Sequence, residues 1–411
     1  MRNLRPTLFT LVFILLSLCS PALAQEKMLT VEDLYDPVKR VNFSGSTPAP
    51  RWLKDGRSYL VAGDQSKPGT PRLVRVNALT GDSAAFFDAA KMEAALNALP
   101  GMSGEDARRL ANRTNYQMNP AQTGAIINHA SDLFYYEFGG DRAWRLTNSP
   151  DEEVGEAFSP DGRMVSYVRG NNIYIVDLST QKERALTSDG SPKILNGRLD
   201  WIYQEELYGR NNFEGYWWSP DSNMIAYLRL DETPVHEFAV VDHIPVRQEL
   251  EITPYPKAGD PNPIVKLGIV NASGGATRWA DTYKYLPTDL LITRVGWTPD
   301  SRRVIFQAQD REQKYLDLNH ANAPDGKTST LFRETTKAWV EAKDNNPRYL
   351  KDGSFLWLSD RSGWQHLYHY AADGRLIRQV TDGKWEIRAV EGVDETKGVV
   401  YFTGTEYSHI A

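Results

Sequence analysis

From Arg51 onward the apolar and polar positions repeat one phrase: an aromatic residue or leucine, a polar turn centred on Asp-Gly or Asp-Ser, then a short run of β-branched and aromatic residues. The phrase reads Trp52-Leu53-Lys54-Asp55-Gly56, Phe158-Ser159-Pro160-Asp161-Gly162, Trp218-Ser219-Pro220-Asp221-Ser222, Trp297-Thr298-Pro299-Asp300-Ser301 and Tyr349-Leu350-Lys351-Asp352-Gly353. Proline at the second turn position fixes φ, and Asp-Gly tolerates the left-handed conformation that two-residue hairpin loops require, so each copy predicts a hairpin. The runs that follow, such as Met164-Val165-Ser166-Tyr167-Val168 and Met224-Ile225-Ala226-Tyr227-Leu228, have strand character, and a third strand closes the unit at 172–178 and 366–370. Successive turn aspartates lie 106, 60, 79 and 52 residues apart. That spacing is one unit of 50 to 60 residues, with a degenerate copy between Asp55 and Asp161 and one enlarged unit. Such a period predicts an all-β fold, a β-propeller of four-stranded blades over 51–411. A two-sheet sandwich is the alternative, but it leaves the recurrence of one phrase unexplained.

Two stretches break the pattern. Residues 82–112 predict a helical insertion: Phe86, Phe87, Ala90, Met92, Leu96 and Leu99 recur at helical spacing, Pro100-Gly101 interrupts, and Ser103-Gly104-Glu105-Asp106 forms a loose capping box for a second helix. The second stretch, Asp200-Trp201-Ile202-Tyr203-Gln204-Glu205-Glu206-Leu207-Tyr208-Gly209, predicts a short helix over 200–208 with Asp200 as N-cap and Gly209 just past its end. It is expected between the blade ending near Leu186 and one starting at Tyr216.

The N-terminal region has its own organisation. Arg2 and Arg5, an apolar run from Leu8 to Leu18 and Pro21-Ala22-Leu23-Ala24 predict a secretory signal peptide over 1–24, cut after Ala24. A single membrane anchor is the alternative, but the run is shorter than the roughly 20 residues a span needs. The expectation is a periplasmic or secreted protein with no membrane attachment after cleavage. Cys19, the one cysteine, falls within this leader, so the mature chain has neither disulfide nor thiol chemistry. Residues 25–50 read as a lead-in with a short helix near Val31-Glu32-Asp33-Leu34-Tyr35.

Among 411 residues, 41% are hydrophobic, enough for a large core. A net charge of −6 without a Lys/Arg run leaves no electrostatic footprint for nucleic acid. For chemistry, the adjacent Glu205 and Glu206 stand out, because two converging carboxylates hold a primary ammonium well through its three donors and fixed charge. On a regular helix they diverge by about 100°, so they converge only on a short helix that aims its end into a cavity; solvated glutamates on a surface helix are the plain alternative. No Gly-x-Ser-x-Gly elbow, His-Glu-x-x-His motif, phosphate loop or calcium loop occurs, so no metal or cofactor is expected. His366 and His369 would point to opposite faces of a strand.

The run 200–207, followed by Tyr216-Trp217-Trp218-Ser219-Pro220 and Leu230-Asp231-Glu232-Thr233-Pro234-Val235, closely resembles the propeller domain of the dipeptidyl peptidase IV family of the prolyl oligopeptidase superfamily. Pro254-Tyr255-Pro256-Lys257-Ala258-Gly259 and Ser359-Asp360-Arg361-Ser362-Gly363-Trp364-Gln365-His366-Leu367-Tyr368 are similar to bacterial members. The resemblance implies an eight-bladed propeller, incomplete here, that caps an α/β-hydrolase domain. It also implies a serine exopeptidase releasing X-Pro or X-Ala dipeptides, with Glu205 and Glu206 binding the free N-terminal amine of a peptide substrate. The family's catalytic Ser, Asp and His have no counterpart in this chain, which is expected to be an N-terminal fragment, inactive alone and lacking its hydrolase partner domain. The family's propeller arginine is also unmatched, since 114–131 contains no Arg. Homodimerisation stays open. A non-enzymatic periplasmic propeller that binds a protein partner is the competing function.

Overall fold

The computed structural model describes residues 28–36, 41, 50–64, 67, 69–342 and 346–407; the expected signal peptide, its expected cleavage after Ala24 and Cys19 lie outside them. Two compact units, 1–50 and 51–411, divide after Pro50. In the first, the helix Val31–Tyr35 starts at a capping box, with the Asp33 N–H donating to the Thr30 hydroxyl and the Thr30 N–H to the Asp33 carboxylate. Among the described residues no helix is long and apolar enough to cross a membrane.

The second unit is a β-propeller. Five four-stranded antiparallel sheets, one five-stranded sheet and a final pair of strands follow one another at 51–85, 117–145, 153–185, 194–279, 290–335, 348–379 and 387–404. In the four-stranded blades the strands pair in chain order. The middle strands carry the core and the fourth is the outer edge: Met164–Arg169, Phe355–Ser359 and His366–Tyr370 are largely buried, whereas Glu183–Ala185 and Leu376–Gln379 are exposed at every position.

The repeated turn is a four-residue loop, wider than the two-residue loop expected from Asp-Gly. In blade three the Gly162 N–H donates to the Ser159 carbonyl at 2.8 Å and the Ser159 N–H to the Met164 carbonyl at 2.9 Å. Only the last turn residue is left-handed, with φ of 62° at Gly56, 73° at Gly162, 64° at Ser222, 60° at Ser301 and 84° at Gly353. The degenerate copy is Asn119-Pro120-Ala121-Gln122, where Gln122 takes φ 59° and makes the equivalent bonds. Side chains at this position reach the preceding blade. The Lys54 N–H donates to Gln122 Oε1 at 2.9 Å, the Asp161 N–H to Ser222 Oγ at 3.0 Å and the Asp221 N–H to Ser301 Oγ at 3.0 Å.

The helical insertion is present but begins later than its pattern suggests. Ser83–Ala85 pairs with Val74–Val76 as the fourth strand of blade one, because a free strand edge outweighs the helix propensity of two alanines. Helices then run Ala89–Asn97, capped by Asp88, and Gly104–Ala111, capped by Ser103. Their fully buried Met92, Leu96 and Leu110 pack with Leu60, Phe134 and Tyr136 of blades one and two.

Blade four accounts for the enlarged spacing. Its first strand is split: Ile194–Asn196 pairs with Arg229–Asp231 and Tyr216–Trp218 with Ile225–Tyr227, with only Leu228 between the two registers. The 200–208 helix is therefore an excursion within blade four, not a connector between blades. A hairpin, Glu237–Asp242 with Glu249–Pro254, also leaves this blade.

The inter-turn bonds carry a testable cost. Ser222→Ala, which strips the Asp161 N–H of its partner, is expected to destabilise the folded chain by about 1–2 kcal/mol. Ser222→Gly relieves the left-handed backbone while losing the same bond, so it should cost less. Urea melts that rank alanine at or above wild type would show that the bond contributes nothing.

Candidate functional site

The excursion leaves blade four through a neck of two glycines. The Gly215 N–H donates to the Gly197 carbonyl at 2.9 Å, and both glycines bond Leu228, which holds the two half-strands in line. Gly197 has φ 71°, and a Cβ there would stand 2.7 Å from the Ile173 side chain, so no larger residue fits. Above the neck Asp200, 5% exposed, accepts the Tyr203 N–H at 3.0 Å and starts the helix.

After one α-helical step at Trp201 and Ile202 the chain winds as a π-helix over Tyr203–Leu207, closed by the Tyr208 N–H to the Tyr203 carbonyl at 2.8 Å. This departs from the regular helix predicted for the segment, and two tyrosines supply the cause. Tyr203 accepts the Ile292 N–H at 3.3 Å, and Tyr208 donates to the Ile292 carbonyl at 3.2 Å. An α-helix would set residues five apart about 140° around its axis; the wider π winding brings both phenols to one residue of blade five. Arg294, just past a bulge in the same strand, donates to the Leu207 carbonyl and lies over the Tyr208 ring. On the other side Trp201 packs at 4.4 Å on Tyr255, which touches Phe238 at the base of the hairpin.

Glu205 and Glu206 sit on this clamped segment. The Glu205 side chain is 18% exposed, and its Oε1 accepts both Nε, at 2.7 Å, and Nη2 of Arg210. Glu206 is exposed. The hydrogen bond and charge of Glu205, reinforced by the charge of Glu206, raise the Arg210 guanidinium above its usual pKa. Among the described contacts Glu205 alone bonds this cation, and Glu206 adds only its nearby charge.

Arg210 is placed by its own loop. Gly209–Asn212 is a turn, with the Asn212 N–H bonded to the Gly209 carbonyl at 3.0 Å and Asn211 at φ 66°. The Asn211 N–H donates to Oε1 of the buried Gln204 at 2.9 Å, which pins the loop to the helix that bears the glutamates.

Three further carboxylates surround the base of the excursion. Asp200 is pushed up to about 6 by burial. Glu232, 6% exposed, is raised to about 7 by burial and then by the Asp200 charge. Glu214, at the neck, is raised to about 7 by burial and then by Glu156. Among the described residues no group of three His, Cys, Asp or Glu is placed to hold a metal ion. His366 meets Thr381 and the Gly383 carbonyl, while His369 meets Ser354, so the two histidines serve separate structural contacts.

Sequence reasoning singled out the glutamates but missed Gln204, Arg210, Tyr208 and Arg294. The five-residue spacing of Tyr203 and Tyr208 was the available signal for the π winding. Nothing local marked Arg294, which lies more than 80 residues away.

Residues 111–410 match the family described as the dipeptidyl peptidase IV (DPP IV) N-terminal region. The chain belongs to that family. It is 33% identical over 286 residues to dipeptidyl peptidase 4 of Trichophyton tonsurans, an alignment covering 64% of this chain and 35% of the relative. Against dipeptidyl peptidase 4 of Arthroderma otae the identity is 32% over 284 residues, with 64% and 35% covered. The chain thus spans about a third of the length of the curated relatives it matches. The crystal structure of Porphyromonas gingivalis dipeptidyl peptidase 4 superposes with a TM-score of 0.72 at 24% identity, covering 88% of this chain and 50% of that one, and so shares the fold.

The raised carboxylates tie stability to pH. Asp200, Glu214 and Glu232 hold their protons more tightly folded than their ordinary values of 3.8 and 4.5, so their contribution is fully present below about pH 4 and lost as pH rises through about 6 to 7. The thermal midpoint is expected to fall between about pH 5 and pH 8, and Glu214→Gln with Glu232→Gln to flatten that slope. An equally steep slope in the double variant would rule out these two groups as its source.

Proposed function

We propose that this chain is the substrate-selecting part of a secreted or periplasmic serine-type dipeptidyl peptidase that releases X-Pro or X-Ala dipeptides. Glu205 and Glu206 hold the N-terminal ammonium of the peptide. One observation carries this reading: a guanidinium already rests on Glu205 within reach of the Glu206 charge, so the geometry suits a cation at this position. Among the described contacts, Arg210 engages only one oxygen of Glu205. The other oxygen and the Glu206 carboxylate are then the acceptors for the three ammonium donors. A fixed ammonium site at a dipeptide's length from a nucleophile measures off two residues before cleavage, which is exopeptidase behaviour. The nucleophile, with its acid and base, is assigned to a hydrolase domain in a longer protein, consistent with the length of the relatives.

We also infer that two copies associate through the hairpin of blade four. All of Glu237–Asp242 is exposed. The register pairs Val241 with Leu250 and Ala239 with Ile252, which places these four apolar residues on one face. A two-stranded ribbon with an apolar face outside its blade is stabilised by burying that face against an identical one.

Three measurements test these readings. In the complete enzyme, Glu205→Gln and Glu206→Gln each remove a charge-assisted contact worth roughly 1.5–3 kcal/mol, so kcat/KM should drop about ten- to hundredfold. The isolated chain should leave a Gly-Pro chromogenic substrate uncut; an unchanged kcat/KM in both variants, or cleavage by the chain alone, refutes the assignment. For association, Leu250→Glu with Ile252→Glu should convert a dimer into a monomer by light scattering, and a dimer mass that persists in this variant excludes the hairpin as the contact.

A further inference from the structure

Arg210 has no part in the reading above beyond marking where a cation sits, yet its placement is built. It occupies the second position of the Gly209–Asn212 turn, and that turn is pinned to the buried Gln204 one residue before Glu205. Two of its nitrogens meet a single oxygen of Glu205, while its side chain remains 76% exposed. A purely structural arginine would be expected to bury its head against several acceptors. This one spends its fork on one oxygen and keeps the rest of its charge facing outward.

Resting on the proposal that Glu205 and Glu206 hold the substrate amine, the geometry sets distances for the incoming peptide. The two oxygens of one carboxylate would carry the guanidinium and the ammonium, each at a hydrogen-bond distance of about 2.9 Å, which leaves the two cations roughly 5 Å apart. The first side chain of the peptide branches from the carbon that bears the ammonium. Its first atom therefore starts within about 8 Å of Arg210, inside the reach of a charge-charge interaction at low ionic strength. Electrostatics then discriminate: two glutamates and one arginine give the site a net charge of −1, matched to a single ammonium. With the ammonium bound the site is neutral, so a second positive charge on the first residue finds no remaining negative charge and lies near the guanidinium, whereas a carboxylate there finds a partner.

We propose that Arg210 is a specificity-determining residue for the first residue of the substrate, favouring acidic and disfavouring basic side chains at that position. Because the guanidinium is exposed, the effect belongs to the class of screened surface pairs and should weaken with salt.

The experiment uses the complete enzyme and three chromogenic dipeptide substrates, Asp-Pro, Ala-Pro and Lys-Pro, at low ionic strength, with N-acetyl-Ala-Pro as a control. Arg210→Met is expected to lower the Asp-Pro to Lys-Pro ratio of kcat/KM by about three- to tenfold, carried mainly by KM, with Ala-Pro as the neutral reference. Arg210→Lys, which keeps the charge without the fork, should retain most of the ratio, and added salt should compress the wild-type ratio toward that of Arg210→Met. Equal cleavage of free and N-acetylated Ala-Pro by the wild type overturns the reading of Glu205 and Glu206. A wild type that rejects the acetylated substrate, but whose Asp-Pro to Lys-Pro ratio survives intact in Arg210→Met, overturns the role of Arg210 alone.

Discussion

A left-handed residue at the end of the first hairpin turn governs how successive blades meet. Glycine serves where only the backbone is needed, as at Gly56 and Gly162. Where Gln122, Ser222 or Ser301 takes the strained conformation, its side chain accepts a backbone N–H from the preceding blade. The unfavourable φ, of order 1–2 kcal/mol for a non-glycine residue, is offset at least in part by the hydrogen bond its side chain accepts across the blade junction. One small motif therefore closes a hairpin within a blade and, where its last residue is not glycine, also bonds the preceding blade.

That regular scaffold is what makes the irregular excursion in blade four possible. The first strand continues on both sides of it because Gly197 and Gly215 close the neck and share Leu228. Blade five completes the arrangement, with Ile292 bonding two tyrosines and Arg294 capping the Leu207 carbonyl. The glutamate-bearing segment is thus held by the junction of two blades more than by its own helical bonds. Its five π-helical residues would be too short to persist alone. Beneath it, burial raises Asp200 and Glu232 above the ordinary carboxylate range.

Much of the architecture was legible in the order of residues. The period of the Asp-Gly and Asp-Ser phrase predicted blades, and its gap and its long interval marked the true positions of a degenerate turn and an enlarged blade. Local rules faltered where tertiary pairing competed with them. Ser83–Ala85 became a strand because blade one offered an edge, and the turn closed over four residues, with its last position bonding the preceding blade at Gln122, Ser222 and Ser301.

For the site, the chain by itself determined which residues carry charge and that two glutamates follow a capped, aromatic-rich turn, since these depend on composition and near-neighbour spacing. Only the tertiary structure decided how those glutamates are presented. The π winding answers to a residue of another blade, the half-burial of Glu205 depends on a core assembled from blades four and five, and its pairing with Arg210 depends on a loop pinned by Gln204. Such contacts join residues through three-dimensional proximity, and no periodicity along the chain encodes them.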